Sequence, residues 1–202
     1  MSFVKIGSIL YRGAIFQFKD TDEKKLYLTF DDGPTEDLTS WILNLLKTYQ
    51  AKATFFCLGK NAERFPGQLQ QILDEGHVIG NHTFHHLKGW RTKNKDYYRD
   101  IELAQTFLNS SYFRPPHGSM KLSQYKYLKQ FFSIVLWDVL AMDYRENYSP
   151  ARILQRIIRK AGPGSILVFH DSQKAEANLK QVLPEVLSYY YKRGYTFHSV
   201  PP

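Results

Sequence analysis

The chain has 202 residues, 43% apolar and 15% aromatic, enough for one sizeable buried core and too much for a disordered chain. Its formal charge of +8 is spread along the sequence and not gathered in a tail. With no zinc-finger spacing and no basic stretch interleaved with stacking aromatics, nucleic acid is not an expected partner. No apolar run approaches the roughly 20 residues that span a bilayer. Residues 1–6 lack the long apolar segment of a secretory leader, so the chain reads as cytoplasmic or as one whose leader has been removed. The single cysteine, Cys57, forbids an internal disulfide and sits in an apolar run, where it reads as a small buried hydrophobe.

Residues 25–30 read as a strand, ended by the turn residues Gly33-Pro34. Residues 35–49 form an amphipathic helix with Leu38, Trp41, Ile42, Leu45 and Leu46 on one face. A strand over 53–58 precedes a helix over 61–75, with Pro66 tolerated near its start and Gly76 as its stop. Residues 78–81 are a short strand leading into a histidine-rich loop, and 94–109 a helix. Residues 112–114 are a brief strand cut off by Pro115-Pro116. A helix over 122–131, an apolar strand over 133–139 and a helix over 150–161 come next. A buried strand over 165–169, a long helix over 175–193 and a last strand over 195–200 complete the chain. In the cluster Arg152, Arg156, Arg159 and Lys160 the three arginines lie near one face of a helix, and the cluster reads as a solvated surface.

Seven strands alternating with helices imply a parallel sheet built from right-handed crossovers. No linker, low-complexity tract or repeat marks a boundary, so residues 1–202 are expected to form one domain. A doubly wound sheet and a barrel both fit this pattern. Polar residues choose between them: Asp31 and Asp32, His82, Arg114, Asp138 and His170 follow different strands. Such convergence favours a barrel, in which all carboxyl ends share one face.

Adjacent carboxylates at Asp31-Asp32, between an apolar strand and a turn, repel each other unless a cation or donor compensates. A metal would resolve this, with one Asp as ligand and the other free as a base. A turn that merely caps the following helix has the same pattern. His82 and His86 have the spacing that shares one face if the segment turns helical, and with Asp32 they form a two-imidazole, one-carboxylate set suited to zinc or a similar divalent ion. His85 is left a loop role. In Phe113-Arg114-Pro115-Pro116-His117-Gly118 the prolines fix the backbone, so the His117 amide is a candidate oxyanion donor. His170, directly after a buried strand, is a candidate proton donor or a capping or core residue.

The segments TFDDGP, HTFHH, FRPPHG, WDVLAMDY and LVFHD resemble, in order and spacing, the five motifs of the polysaccharide deacetylase family, from about Lys24 to near the end of the chain. The resemblance implies a distorted (β/α) barrel with about seven parallel strands. It also implies a metal-dependent hydrolase that removes N-acetyl groups from N-acetylglucosamine units of a glycan or oligosaccharide. Asp31 would then be the base, and Asp32, His82 and His86 the ligands of a divalent metal, zinc first and cobalt or similar also compatible. Arg114 would orient Asp31, the His117 amide would share the oxyanion, and His170, tuned by Asp143, would protonate the leaving amine. Val168 matches a position lining the acetyl pocket. His117 stands where the family usually has tyrosine, and Leu140 and Tyr144 where it has aspartate and tryptophan, changes that touch the groove wall and substrate choice. An O-acetyl esterase and a catalytically silent glycan-binding barrel are the rival readings.

Overall fold

The computed structural model describes residues 9–18 and 23–201; residues 1–6, on which the leader expectation rests, lie outside them. Among the described residues, β1 (Lys25–Asp31), β2 (Thr54–Cys57), β3 (Val78–Asn81), β4 (Tyr112–Phe113), β5 (Ser133–Ile134), β6 (Val139–Leu140), β7 (Ile166–His170) and β8 (Thr196–His198) form one sheet of parallel pairs. Seven of them run β5-β4-β3-β2-β1-β7-β6, a distorted, curled half-barrel with β1 at its centre. The eighth, β8, pairs with Lys25 to Tyr27 of β1, while β2 pairs further along at Thr29 to Asp31. Helices α1 (Leu38–Thr48), α2 (Gly59–Arg64), α3 (Pro66–Asp74), α4 (Asn94–Leu108), α5 (Leu122–Leu128), α6 (Pro150–Lys160) and α7 (Glu176–Tyr191) connect the strands. None is long and apolar enough to cross a membrane.

Strand alternation divides the apolar side chains into two cores, because successive residues point to opposite faces. Leu26, Leu28 and Phe30 pack outward with Ile42 and Leu46 of α1 and Leu183 of α7; Tyr27 points inward with Phe56, Phe113, Trp137 and Val168. Phe30 stacks between Phe55 and Phe169 at centroid distances of 5.0 and 5.8 Å. Cys57 is buried in the outer core, as its apolar run implied. On β1 the inward series continues from Tyr27 through Thr29 to Asp31, and register sets Asp31 directly beside His170 of β7. The strand pattern thus delivers an acid and a histidine to the same end of the curl.

Two expected elements divide. The helix anticipated over 61–75 breaks at Phe65 (φ −125°, ψ 59°), because Pro66 disfavours a helical residue before it and lacks the amide that would continue the ladder. Pro66 instead opens α3 in its first turn. The strand anticipated over 133–139 becomes β5 and β6, since the carbonyls of Val135 and Leu136 accept from the Arg114 side chain and not from a neighbouring strand. This places Asp138 at the wrong end of the barrel for a site residue. It accepts from the Ser165 hydroxyl and the Ile166 amide, where β7 begins, opposite the end that carries His170.

The edge strands β5 and β6 do not pair with each other. The N-terminal segment spans this side: Ile15 bridges Val135 in parallel and Gln17 bridges Ser165 antiparallel. Gly164 (φ +80°) lets that segment approach, its carbonyl accepting from the Phe18 amide at 2.8 Å, and a Cβ there would lie 1.6 Å from the Phe18 carbonyl oxygen. Gly164→Ala is therefore expected to expel residues 15–18 from the sheet. Left-handed strain alone costs about 1–3 kcal/mol. Amide exchange would read faster exchange at Ile15 and Phe18, with a lower Tm; unchanged protection at both would refute this closure.

Candidate metal and catalytic site

At the carboxyl end of the curl a cavity of about 500 Å³ is lined by Asp31, Asp32, His82, His86, His117 and His170, with Trp137, Leu140 and Tyr144 as its apolar wall and Ser172 and Lys174 at its edge. The site residues expected from the sequence gather here, with three exceptions of position. Val168, fully buried, is one inward position below His170 and is not among the lining residues. Arg114 and Asp143 lie behind the wall, each fully buried and each touching one reacting candidate.

Arg114 is bound on all sides. Its Nη1 donates to Asp31 Oδ1 (2.7 Å) and Thr29 Oγ1 (2.8 Å), Nε to the Val135 carbonyl (3.1 Å) and Nη2 to the Leu136 carbonyl (3.0 Å). The guanidinium lies over the Phe56 ring at 4.0 Å. Burial alone would raise the Asp31 pKa, but Arg114, with His82 and His170 beyond it, reverses this and holds Asp31 below the usual carboxylate value. Asp31 is thus an ionised carboxylate in a nearly dry place.

Asp32 is the next residue and is treated differently. Its backbone is left-handed (φ +79°), held by its amide donating to the Phe56 carbonyl and by Asn61 Nδ2 donating to its own carbonyl at 2.7 Å. Burial, with Asp31 adding its charge, raises the Asp32 pKa although His82 and His170 oppose it. Asp32 Oδ1 is buried with no hydrogen-bond partner among the described residues, and it lies 3.3 Å from His86 Nε2 and 3.8 Å from His82 Nε2. One donor atom from each of the three residues falls within 4.8 Å of the others. A buried carboxylate oxygen lacking a donor, facing two imidazole nitrogens, is the donor set a divalent cation takes. The residues fit the ion.

The histidines meet through a loop and not a helix, contrary to the geometry their spacing suggested. Residues 82–88 are irregular, and Thr83 (φ +67°) and His86 (φ +60°) turn the chain back. Two buried residues without an assigned role hold it. Asn81 Oδ1 accepts from the Thr83 amide, and Asp100 Oδ1 accepts from the amides of Phe84 and His85 while Oδ2 contacts the His85 ring at 2.5 Å. His82 Nδ1 donates to the Arg114 carbonyl at 2.7 Å, which leaves Nε2 free as a lone pair toward Asp32. Burial pushes both rings to a pKa of about 4, outweighing the Asp31 charge at His82 and reinforced by His117 at His86. Both are neutral at pH 7, the form that ligates.

His170 has the opposite charge state. Asp143 grips it twice, Oδ1 to the ring Nδ1 (2.7 Å) and Oδ2 to the His170 amide (2.8 Å). Burial would lower its pKa, but Asp143, with Asp31 and Asp32 further off, raises it to about 9. Tyr144 packs edge-on against it at 4.7 Å. His117 sits in a single-turn helix at φ +61°, its ring 4.8 Å from that of His86, and among the described residues its amide has no acceptor.

Asp171, the last residue of the LVFHD motif, has a structural part that its sequence context does not reveal. It accepts from the hydroxyls of Thr35 (2.7 Å) and Thr39 (2.5 Å), and its carboxylate fills the space that a Cβ at Gly33 would need. It thereby pins the turn carrying Asp32. Asn81, Asp100 and Asp171 share one signal: a polar residue adjoining or facing a motif, whose side chain pairs with loop amides or hydroxyls.

Residues 18–131 match the family model described as polysaccharide deacetylase. The chain belongs to the polysaccharide deacetylase family. It is 33% identical over 192 residues to a peptidoglycan-N-acetylglucosamine deacetylase of Bacillus cereus, covering 89% of this chain and 68% of that protein. It is 30% identical over 207 residues to the peptidoglycan-N-acetylmuramic acid deacetylase PdaA of Bacillus subtilis, covering 97% and 77%. Among solved structures it resembles the Bc1960 peptidoglycan N-acetylglucosamine deacetylase, solved with a substituted N-oxidanyl-benzamide, at a TM-score of 0.89 and 30% identity over 96% of this chain and 94% of that one. The family accounts for the curled barrel and for the five motifs at its carboxyl end.

The Arg114–Asp31 pair yields a stability test. Arg114→Met leaves a buried carboxylate without its cation, a loss of about 3–5 kcal/mol. The Asp31 pKa then rises in the fold, so the deficit should grow with pH and shrink in acid, where Asp31 is protonated. Denaturant unfolding at pH 5 and pH 8 would measure it; a deficit independent of pH would mean that Arg114 acts by packing alone.

Proposed function

We propose that this protein is a metal-dependent N-deacetylase acting on N-acetylated amino-sugar units of a polysaccharide, with peptidoglycan the first substrate class to test. The observation that carries this is Asp31, paired with Arg114, beside His170, gripped by Asp143, on neighbouring strands of one cavity that also holds the Asp32, His82 and His86 donor set. Its membership of the family and its peptidoglycan-deacetylase relatives support the same reading.

Asp32, His82 and His86 would hold the ion, and a divalent cation there supplies Lewis-acid polarisation of the acetyl carbonyl and a lowered pKa for attacking water. Asp31, kept ionised by Arg114, accepts the proton of that water as it adds to the acetamide carbon. The His117 amide donates to the developing oxyanion. His170, protonated at neutral pH and held by Asp143, gives its proton to the sugar nitrogen as the C–N bond breaks, leaving acetate and a free amine. Trp137, Leu140 and Tyr144 shield this exchange from bulk water. A silent binding barrel has no use for an ionised base and a charged acid placed side by side.

Two outcomes follow. Asp31→Asn should retain zinc and lose about 10²–10⁴-fold in kcat for acetate release from N-acetylated glycan. His86→Ala should lose zinc and activity together, with the fold intact by circular dichroism. Equal metal loss in both variants would overturn the division of roles.

The second concerns pH. The rate should fall on the alkaline side as His170 loses its proton around pH 9. Asp143→Asn removes the carboxylate that raises this pKa, so the alkaline limb should move to lower pH. A limb that stays in place would assign it to another group. An acetylated xylan substrate, assayed in parallel, distinguishes amide from ester preference.

A further inference from the structure

The wall of the catalytic cavity has a second side. The His117 ring separates the cavity from a neighbouring depression of about 250 Å³, lined by Lys88, Trp90, Arg91, Pro116, His117 and Ser119. The middle of this shelf is Trp90, 59% exposed, on the single-turn helix Gly89–Arg91. That turn is fixed from beneath. Gln124 Nε2 donates to the Gly89 carbonyl at 3.0 Å, Lys121 Nζ donates to the Thr92 carbonyl at 2.7 Å, and a Cβ on Gly89 would lie 2.8 Å from Gln124 and 2.9 Å from Met120. A large aromatic side chain is therefore presented largely to solvent on a backbone that is held in place. An indole so displayed is a platform for an apolar sugar face, whose ordering cost is met in advance.

The charge of the shelf is one-sided. Lys88 and Arg91 flank Trp90, neither forms an ion pair among the described residues, and no carboxylate lines the depression. The depression that adjoins the cavity at Tyr144 and Lys174 differs, since Glu146 accompanies Arg145 and Lys174 there. Lys88 is also close enough to His117 to help burial depress its pKa, so its charge reaches the wall between the two spaces.

We propose that Trp90, Lys88 and Arg91 form a subsite for a saccharide unit that carries a carboxylate, next to the amino sugar held in the catalytic cavity. This inference rests on the deacetylase reading and adds to it that the substrate is an anionic glycan, not a neutral one. Trp90 stacks on the ring and the two cations take the carboxylate. In a peptidoglycan strand that carboxylate belongs either to the lactyl ether of the N-acetylmuramic unit or to an attached peptide.

The test compares three probes on the zinc-loaded protein: a neutral N-acetylglucosamine tetramer, a tetrasaccharide alternating N-acetylglucosamine with N-acetylmuramic acid, and the same with its peptides. KM and kcat are read from acetate release, and Kd by calorimetry for any probe that is not turned over. The wild type should bind the carboxylate-bearing probes about three- to tenfold more tightly than the neutral tetramer, an advantage that shrinks with salt. Lys88→Gln/Arg91→Gln should abolish this advantage through KM, while Trp90→Ala weakens all probes about threefold or more. An advantage confined to the second probe places the recognised group on the lactyl ether, whose carboxyl is an amide once a peptide is attached; one confined to the third places it on the peptide; one with both means that either carboxylate is taken, and each of these supports the subsite. Equal affinity for neutral and acidic probes, or an advantage that survives the double substitution, overturns it. Failure of every probe to release acetate would instead remove the deacetylase reading, and the Kd values would still decide the shelf.

Discussion

A single buried guanidinium organises this molecule. Taking Arg114 out of water costs several kcal/mol unless its charge and donors are matched, and four hydrogen bonds to Asp31, Thr29, Val135 and Leu136 supply the match. Those partners come from β1 and from the chain leaving β5, so the same side chain that keeps Asp31 ionised also occupies the carbonyls where the sheet stops being regular. Its own backbone carbonyl then orients His82. The ionised Asp31, the tautomer of His82 and the break between β5 and β6 are one arrangement viewed from three sides.

The site sorts its histidines by their partners. His82 is buried and His86 half-buried near several charges without a carboxylate hydrogen bond among the described residues, so loss of water dominates and they stay neutral. His170 is buried as well, yet two contacts to one fully buried carboxylate reverse the balance. Imidazoles within a single cavity are thereby divided into two neutral rings and one charged ring by where one aspartate sits.

Much of this was legible in the sequence because it depended on local order. The apolar run in 25–30 marked the strand that ends at Asp31, and the Asp31-Asp32, His82/His86 and His170 motifs each followed a strand. What escaped depended on contacts distant in the chain. The loop geometry joining His82 to His86 rests on Asp100 from α4, and spacing alone suggested a helical turn. The placement of Asp138 rested on treating 133–139 as one strand, and only the Arg114 side chain, reaching carbonyls from another element, shows why it is two. Val168 followed the family pattern to the right strand and the right face, one level too deep to line the cavity.

The closing segment has a temporal consequence. Ile15 and Gln17 pair with Val135 and Ser165, 120 and 148 positions further along the chain. Until those partners are joined, the inner face of β1 and its neighbours lacks its final cover, and the edges of the curl present unpaired amides. The barrel is sealed by a contact of very high sequence separation, so closure belongs late in folding, and the strand edges stay open to association until it happens.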